Sequence, residues 1–320
     1  MNKYNFKNFL YVIIIILIGC DKNPIAKNQN TTGNEIITSN INSGAIFYEM
    51  EDVSNPKSVQ WDMKFLFQSW GYYIELNTPA GVMSVNSEQK NFEEAILPDS
   101  GLSYDNHLIG ANWVDISTYN QQDAHSVETL GDTYFIWTTN YNFVKIQFLS
   151  AKTLIPSTEY QIVFKYQNLN ETESLLDTVK YFKEIPTYYK FNTDEIIGPI
   201  NWDFGFTLTP VFSEILNSYQ NMPTVLLNMS AGVYTSVFDD YSFENQIDTS
   251  NVTWNTDSID HRNLGYNGNY QVIWYHPEPP YNHKAIIEYP NRIYMLSNGS
   301  SLHKLQFSEY ESGYLAFKYQ

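Results

Sequence analysis

The sequence predicts a mostly β protein made of two related antiparallel β modules that follow a signal peptide and a flexible tether. From residue 45 onward, runs of five to eight residues rich in Tyr, Phe, Ile, Val and Thr alternate with Asn, Gly, Asp, Ser and Pro. This pattern is typical of antiparallel strands and hairpins. Long helix-period segments are absent, since residues 88–96 and 171–182 have room for only one or two turns each. Several motifs also occur twice in the same order, which indicates an internal repeat.

The first twenty residues have the three parts of a lipoprotein signal peptide. Lys3 and Lys7 give a positive start, residues 9–18 form an uncharged apolar run, and Gly19 precedes Cys20. The run is about 10 residues long, which suits a signal peptide and is too short for a spanning helix of about 20 residues. Cys20 is the only cysteine, so it cannot form an internal disulfide. Because a thiol at this position of a signal peptide is the acceptor of a diacylglyceryl group, we expect it to carry the lipid after removal of residues 1–19, and two or three acyl chains anchor stably. An ordinary secretory signal with an incidental cysteine is the alternative.

Residues 20–44 are rich in Asn, Thr and Gly and have no apolar period, so we expect a flexible tether between the lipid and the folded part. The chain has a formal charge of −17, which becomes −19 once Lys3 and Lys7 are removed. It contains no run of Lys or Arg. Nucleic acid and anionic lipid headgroups are therefore not expected as partners, because both are bound by basic surfaces.

The internal repeat divides the rest of the chain into a first module at residues 45–168 and a second at residues 185–320, joined by the polar stretch 169–184. The matched motifs lie between 141 and 159 residues apart and keep one order, so loop insertions account for the differences. The matches are WDxxF at 61–65 and 202–206, LNxxAGV at 76–82 and LNMSAGV at 227–233, IG at 109–110 and LG at 264–265, KIQF at 145–148 and KLQF at 304–307, and FKYQ at 164–167 and 317–320.

Within each module the shared residues are expected to mark the fold more than a site. Trp61 and Trp202 are expected to be buried, each in the core of its own module, with the following Asp at a turn. The Ala-Gly pairs at 80–81 and 231–232 suit a hairpin turn that needs a positive φ. In the KxQF strands, alternation puts the apolar residues on one face and Lys and Gln on the other.

The motif order resembles the HmuY family of surface lipoproteins, which capture haem and pass it to an outer-membrane haem receptor. The resemblance consists of the signal ending at Cys20, WDxxF, LNxxAGV, a late KLQF strand and the closing strand from Gly313 to Gln320. The second module is the closer match, over roughly 200–320, and the first is a degenerate copy. The resemblance implies an anchor in the outer membrane at the cell surface, haem as cargo, and an outer-membrane haem receptor as partner.

In that family, haem iron is held by His or Met side chains from loops in the later half of the domain. The resemblance thus makes His276, His283 and His303 the candidate axial ligands, and neutral imidazole is a good ligand for haem iron. His276 and His283 flank the Pro-rich stretch 277–282, where the fixed φ of proline can hold a loop rigid. Met295 is a weaker candidate because it lies in an apolar strand. No metal other than haem iron is expected.

An enzyme is not expected from this sequence. It contains no G-x-S-x-G, H-E-x-x-H, Walker, G-x-G-x-x-G or C-x-x-C motif. The adjacent acids Glu93-Glu94 and Asp239-Asp240 are of the kind that usually face solvent. Two functions remain open: ligand capture of the HmuY type with haem as the leading ligand, and an adhesive or structural surface β protein without a haem site.

Overall fold

The computed structural model describes residues 34–58, 61–67, 72–120, 125–154, 159–183, 185–191, 200–259, 261–281 and 283–320. Strands hold 51% of the described residues and helices 3%, and the sheets are antiparallel, which confirms the predicted fold class. The strands are β1 (Asn34–Ile37), β2 (Ile46–Glu49), β3 (Asp52–Lys57), β4 (Met63–Leu66), β5 (Tyr73–Leu76), β6 (Met83–Asn86), β7 (Val114–Asn120), β8 (Ser126–Thr129), β9 (Thr133–Trp137), β10 (Phe143–Leu154), β11 (Glu159–Asn168), β12 (Leu175–Tyr181), β13 (Thr187–Tyr189), β14 (Phe204–Ser213), β15 (Ser218–Leu227), β16 (Tyr234–Phe238), β17 (Ile273–His276), β18 (Lys284–Ile287), β19 (Ile293–Ser297), β20 (Leu302–Glu311) and β21 (Tyr314–Tyr319).

The first lobe comprises residues 61–191 and contains β4 to β13. Its larger sheet has the order β12-β11-β10-β8-β7, with β9 also paired to β10 and to β6, and its smaller sheet has the order β13-β4-β5. Both sheets cover one hydrophobic core that draws its buried residues from this lobe alone, including Trp113, Phe148 and Phe164. The first lobe is therefore continuous in sequence.

The second lobe comprises residues 200–320 together with the N-terminal segment 34–57. Its sheets have the orders β1-β21-β20-β19-β16 and β15-β14-β2-β3, and β17 and β18 form a separate hairpin. The N-terminal segment adds five buried side chains to a core whose other buried residues come after residue 200, namely Ile41, Ile46, Tyr48, Met50 and Val53. The second lobe is thus discontinuous, because the whole first lobe lies between its two parts in the sequence.

The pairing of the N-terminal segment with the second lobe corrects the tether predicted at residues 20–44. Residues 34–37 pair with β21, with Asn34 opposite Tyr319 and Ile37 opposite Ala316. A 3-10 turn follows at Ile41–Ser43, and the Ile41 side chain is fully buried. The tether prediction is wrong for residues 34–44, because their few isoleucines pack in a core supplied by the far end of the chain. Cys20 and the rest of the predicted tether lie outside the described residues.

The predicted module boundaries also need correction. Strand β2, assigned to the module 45–168, pairs with β14 of the second lobe, and β3 pairs with β2. The polar stretch 169–184 contains β12, which extends the first lobe by pairing with β11 along its length. The start predicted at residue 185 is also too early, because β13 pairs with β4 of the first lobe. Strand β12 thus occupies most of residues 171–182, where the sequence left room for one or two helical turns.

The two lobes share a backbone hydrogen bond at the aspartate of their WD motifs, and this shared arrangement is called here the WD frame. The amide of Asp62 donates to the carbonyl of Tyr189 at 2.7 Å, and the amide of Asp203 donates to the carbonyl of Tyr48 at 2.7 Å. In each lobe the strand that follows the WD motif pairs with a strand distant in sequence. Strand β4 pairs with β13 in the first lobe, and β14 pairs with β2 in the second.

A second shared element is the 3-10 turn after the LN pair, at Thr78–Ala80 and at Met229–Ala231. Each turn ends at a glycine with a left-handed backbone, Gly81 at φ +92° and Gly232 at φ +68°. The positive φ predicted for these glycines is correct, but the glycine ends a 3-10 turn and does not lie in a hairpin.

The two motif tryptophans differ in burial. Trp202 is 6% exposed and its ring lies 4.7 Å from the ring of Phe47. Trp61 is only half-buried, against the ring of Tyr188. The prediction of two buried tryptophans is thus right for the second lobe and wrong for the first.

The lobes contact each other through polar and aromatic groups. The guanidinium of Arg262 donates to the carbonyl of Thr78 at 2.6 Å and stacks 3.8 Å above the ring of Tyr104. The hydroxyls of Tyr104 and Thr209 are 3.0 Å apart. These contacts join the two cores across their shared side.

Candidate ligand-binding groove

The hairpin formed by β17 and β18 carries two of the three predicted ligands. Tyr275 pairs with Ala285 and His276 pairs with Lys284. Directly opposite residues share a face, and successive residues alternate between faces. Ala285 packs against the second core, so Tyr275 lies on the inner face of the hairpin and His276 on the outer face.

His283 belongs to the inner face. Its Nδ1 lies 2.7 Å from the hydroxyl of Tyr275, and the residue has a left-handed backbone at φ +64°. The imidazole is exposed. The tyrosine hydroxyl fixes the orientation of the ring and leaves Nε2 as the nitrogen available to an external group.

His276 has separate partners on the outer face. Its Nε2 lies 2.8 Å from a carboxylate oxygen of Glu288, and its ring lies 4.8 Å from the ring of Tyr281. His276 and His283 therefore do not converge on one space. The sequence could have shown that the two histidines do not converge, because successive residues of a strand such as Tyr275 and His276 lie on opposite faces.

His303 lies apart from both of these histidines. It is on β20 opposite Leu296, and its ring stacks on Tyr319 with an interplanar angle of 15°. Its Nε2 is 3.6 Å from a carboxylate oxygen of Glu51. Five residues of strand, about 16 Å, separate His303 from Ser308, where the groove described next begins. The structure therefore does not bring the three predicted ligands together.

The groove at the hairpin, called here the β18 groove, lies between β18 and the end of β20. It has a volume of about 570 Å³, and the half-buried Ile287 and Tyr310 belong to its apolar lining. His283 is the one histidine of its described lining. The full lining is His283, Lys284, Ala285, Ile286, Ile287, Pro290, Ser308, Glu309, Tyr310, Glu311 and Ser312.

The charges at the groove are mixed. Lys284, Glu309 and Glu311 are all exposed at its edge. Burial raises the pKa of Tyr310 to about 12, so its hydroxyl stays protonated at neutral pH. Met295, the weaker predicted ligand, is 4% exposed within β19 and does not reach the groove.

The groove lies at the opposite end of the second lobe from the point where the described chain begins. Asn34 is paired with Tyr319 at one end of β21, and the groove contains Ser312 in the turn before the other end. Tyr319 lies seven residues after Ser312, about 23 Å along the strand. Asn34 and the groove are thus at opposite ends of β21, while the chain that follows Asn34 returns to the groove's edge, where the side-chain amide of Asn42 donates to the carbonyl of Ser312 at 3.4 Å.

Two further properties concern the described residues only. No described helix is long and apolar enough to cross a bilayer. The described part of the chain contains no group of three or more His, Cys, Asp or Glu side chains arranged to hold a metal ion.

Comparison with known proteins finds no matching family model, no similar curated protein and no similar solved structure.

Proposed function

We propose that this chain is a non-enzymatic surface lipoprotein that captures haem as cargo in the β18 groove for delivery to an outer-membrane haem receptor. The observation that carries the proposal is His283, held by Tyr275 at the edge of a partly apolar groove. The groove falls in the size range of small-molecule sites, about 300–1,000 Å³. The resemblance to the HmuY family supports the same ligand.

The iron ligand in this proposal is Nε2 of His283. A hydrogen bond to the other ring nitrogen is the usual way in which proteins orient a ligating histidine, and the hydroxyl of Tyr275 is placed to make it. With one histidine at the groove, the iron is held from one side. Lys284 borders the groove but lies opposite His276 on the outer face of the hairpin, and the exposed Glu309 and Glu311 oppose an anionic propionate.

The position of the groove suits capture from the exterior. In the proposal, Cys20 carries the lipid and lies about 14 residues before Asn34, a distance of at most about 50 Å when extended. The chain then enters the second lobe at the end remote from the groove. In the proposal the groove therefore lies at the end of β21 remote from the point where the anchored segment joins the lobe.

Haemin binding tests the ligand. Wild-type protein is expected to give a shifted Soret band at a stoichiometric ratio, and His283→Ala to lose that shift because the groove then has no histidine. His276→Ala is the matched control, since its imidazole is bound to Glu288 on the outer face, and it is expected to bind like wild type. Absence of a Soret shift in wild-type protein, in either iron oxidation state, would reject haem as the ligand.

Rejection of haem would favour the second function, an adhesive surface protein. One observation supports it independently: Ile215 is 95% exposed and Leu216 is 61% exposed. Both lie in the turn between β14 and β15. Adjacent apolar side chains at the tip of a long hairpin are typical of a protein contact.

The lipid anchor has its own test. Cys20→Ser is expected to prevent both cleavage and fatty-acid labelling, because the serine hydroxyl is not the acceptor of the diacylglyceryl group. The measurement is incorporation of labelled fatty acid together with membrane fractionation before and after detergent. Equal membrane association of mutant and wild type, with neither labelled, would contradict the anchor.

A further inference from the structure

A second cavity lies beside the WD motif of the second lobe and plays no part in the proposed haem site. This cleft, called here the WD cleft, has a volume of about 550 Å³ and is bordered by the ends of β2 and β14, the 3-10 turn at Met229–Ala231 and the turn after β19. Its exposed rim carries Glu51, Asn201, Ser230 and Ser300.

Most polar groups of the cleft also have partners within the fold. The hydroxyl of Ser300 donates to the side-chain carbonyl oxygen of Asn298 at 2.8 Å and keeps its capacity to accept, and Glu51 lies 3.6 Å from Nε2 of His303. The carboxylate of Asp203 accepts from the amide of Met50 at 2.7 Å and from the side-chain amide of Asn298 at 3.3 Å. Glu49 is paired with Lys57 at 2.6 Å. These contacts neutralise or occupy two of the three carboxylates, so the cleft is polar without being a concentrated negative charge.

The first lobe provides an internal comparison, since it has the same WD frame. Counted from the shared LN pair, Ser230 corresponds to Pro79, and counted from the shared KxQF strand, Ser300 corresponds to Tyr141. Tyr141 is used for packing, with its ring 6.2 Å from Trp137 and its hydroxyl 3.5 Å from that of Thr207. The frame therefore does not require serine at these two positions.

We propose that the WD cleft binds a neutral polyhydroxylated ligand, one or two sugar residues in size. Its rim offers an amide, two hydroxyls and a carboxylate. The amide and the hydroxyls can donate hydrogen bonds to vicinal hydroxyls and accept from them, and the carboxylate can accept from them. The carboxylates disfavour phosphate and other anions. A volume of about 550 Å³ is in the range of small-molecule sites and exceeds the space that a metal ion fills. This binding is independent of haem.

Saturation-transfer NMR with the complete mature chain tests the proposal, using glucose, galactose, mannose and N-acetylglucosamine as four separate probes. At least one sugar is expected to give a signal in wild-type protein. Ser300→Tyr and Ser230→Pro introduce the residues that the first lobe carries, so both are compatible with the frame, and each is expected to lower the signal at least fivefold.

Ser242→Tyr, at an exposed serine away from the WD cleft, is the matched control and is expected to keep the signal. Circular dichroism of each variant checks that the β structure is unchanged. No signal with any of the four sugars would overturn the proposal. An equal signal in wild-type protein and Ser300→Tyr would overturn it as well, because binding would then lie elsewhere.

Discussion

A chain that lacks residues 34–57 is expected to lose the fold of the second lobe while the first lobe keeps its fold. The deletion removes β1 from the edge of one sheet and takes β2 and β3 from the other. It also removes six apolar side chains that are at most 6% exposed, which are Ile41, Ile46, Phe47, Tyr48, Met50 and Val53. At roughly 1.5–3 kcal/mol for each buried side chain, the loss is comparable to the entire stability of a domain, about 5–15 kcal/mol.

Limited proteolysis with mass spectrometry measures this effect. A fragment that ends near residue 191 is expected to resist digestion, since the first core draws on no residue of the deleted segment. Residues 200–320 are expected to be digested. Adding a synthetic peptide of residues 34–57 should restore their protection, which separates loss of a structural partner from general misfolding. Protection of residues 200–320 in the deleted chain without the peptide would show that the second lobe folds without residues 34–57, which contradicts the prediction.

The fold class could be predicted because its signals are local. Alternating residues such as those of KIQF, where Ile146 and Phe148 are buried, show their strand and their inner face directly. The glycine of each LNxxAGV motif, Gly81 or Gly232, likewise indicates that the backbone of its own turn needs a positive φ.

The closure of the second lobe could not be predicted in the same way. The partners of residues 34–37 lie about 280 residues further along the chain, and nothing in a segment rich in Asn and Thr identifies them. Strand β12 is a similar case. Its buried residues Val179 and Tyr181 do alternate, but the segment is short and polar, and its strand conformation is fixed by pairing with β11.

The candidate site was predicted in part. The stretch between Trp274 and His283 does form a hairpin, and one of its histidines borders a groove. The other wall of that groove is the end of β20, whose approach to β18 depends on packing between separate strands. The prediction that His276 and His283 act together is not supported by their positions, because each has a separate partner on its own face.

Replacement of Asp62 by Ala is expected to destabilise the first lobe by about 3 kcal/mol or more, because it leaves buried donors without an acceptor. One carboxylate oxygen accepts from the amide of Thr139 at 2.8 Å and from its hydroxyl at 2.9 Å. The other accepts from the amide of Phe191 at 3.1 Å. Asp62 is fully buried, so water cannot replace these bonds. Through them the carboxylate joins the WD turn to the turn after β9 and to the end of β13.

Two variants sharpen the measurement, which is the free energy of unfolding in denaturant. Asp203→Ala is the matched change in the second lobe and is expected to cost less, about 1–3 kcal/mol, because Asp203 is 9% exposed and one of its two bonds is long at 3.3 Å. Burial raises the pKa of Asp62 while the bonds from Thr139 and Phe191 oppose that shift. Asp62→Asn removes the cost of burying a charge and keeps one acceptor oxygen, so it is expected to lose less stability than Asp62→Ala. If Asp62→Ala were no more costly than Asp203→Ala, the three hydrogen bonds would not be what stabilises this turn.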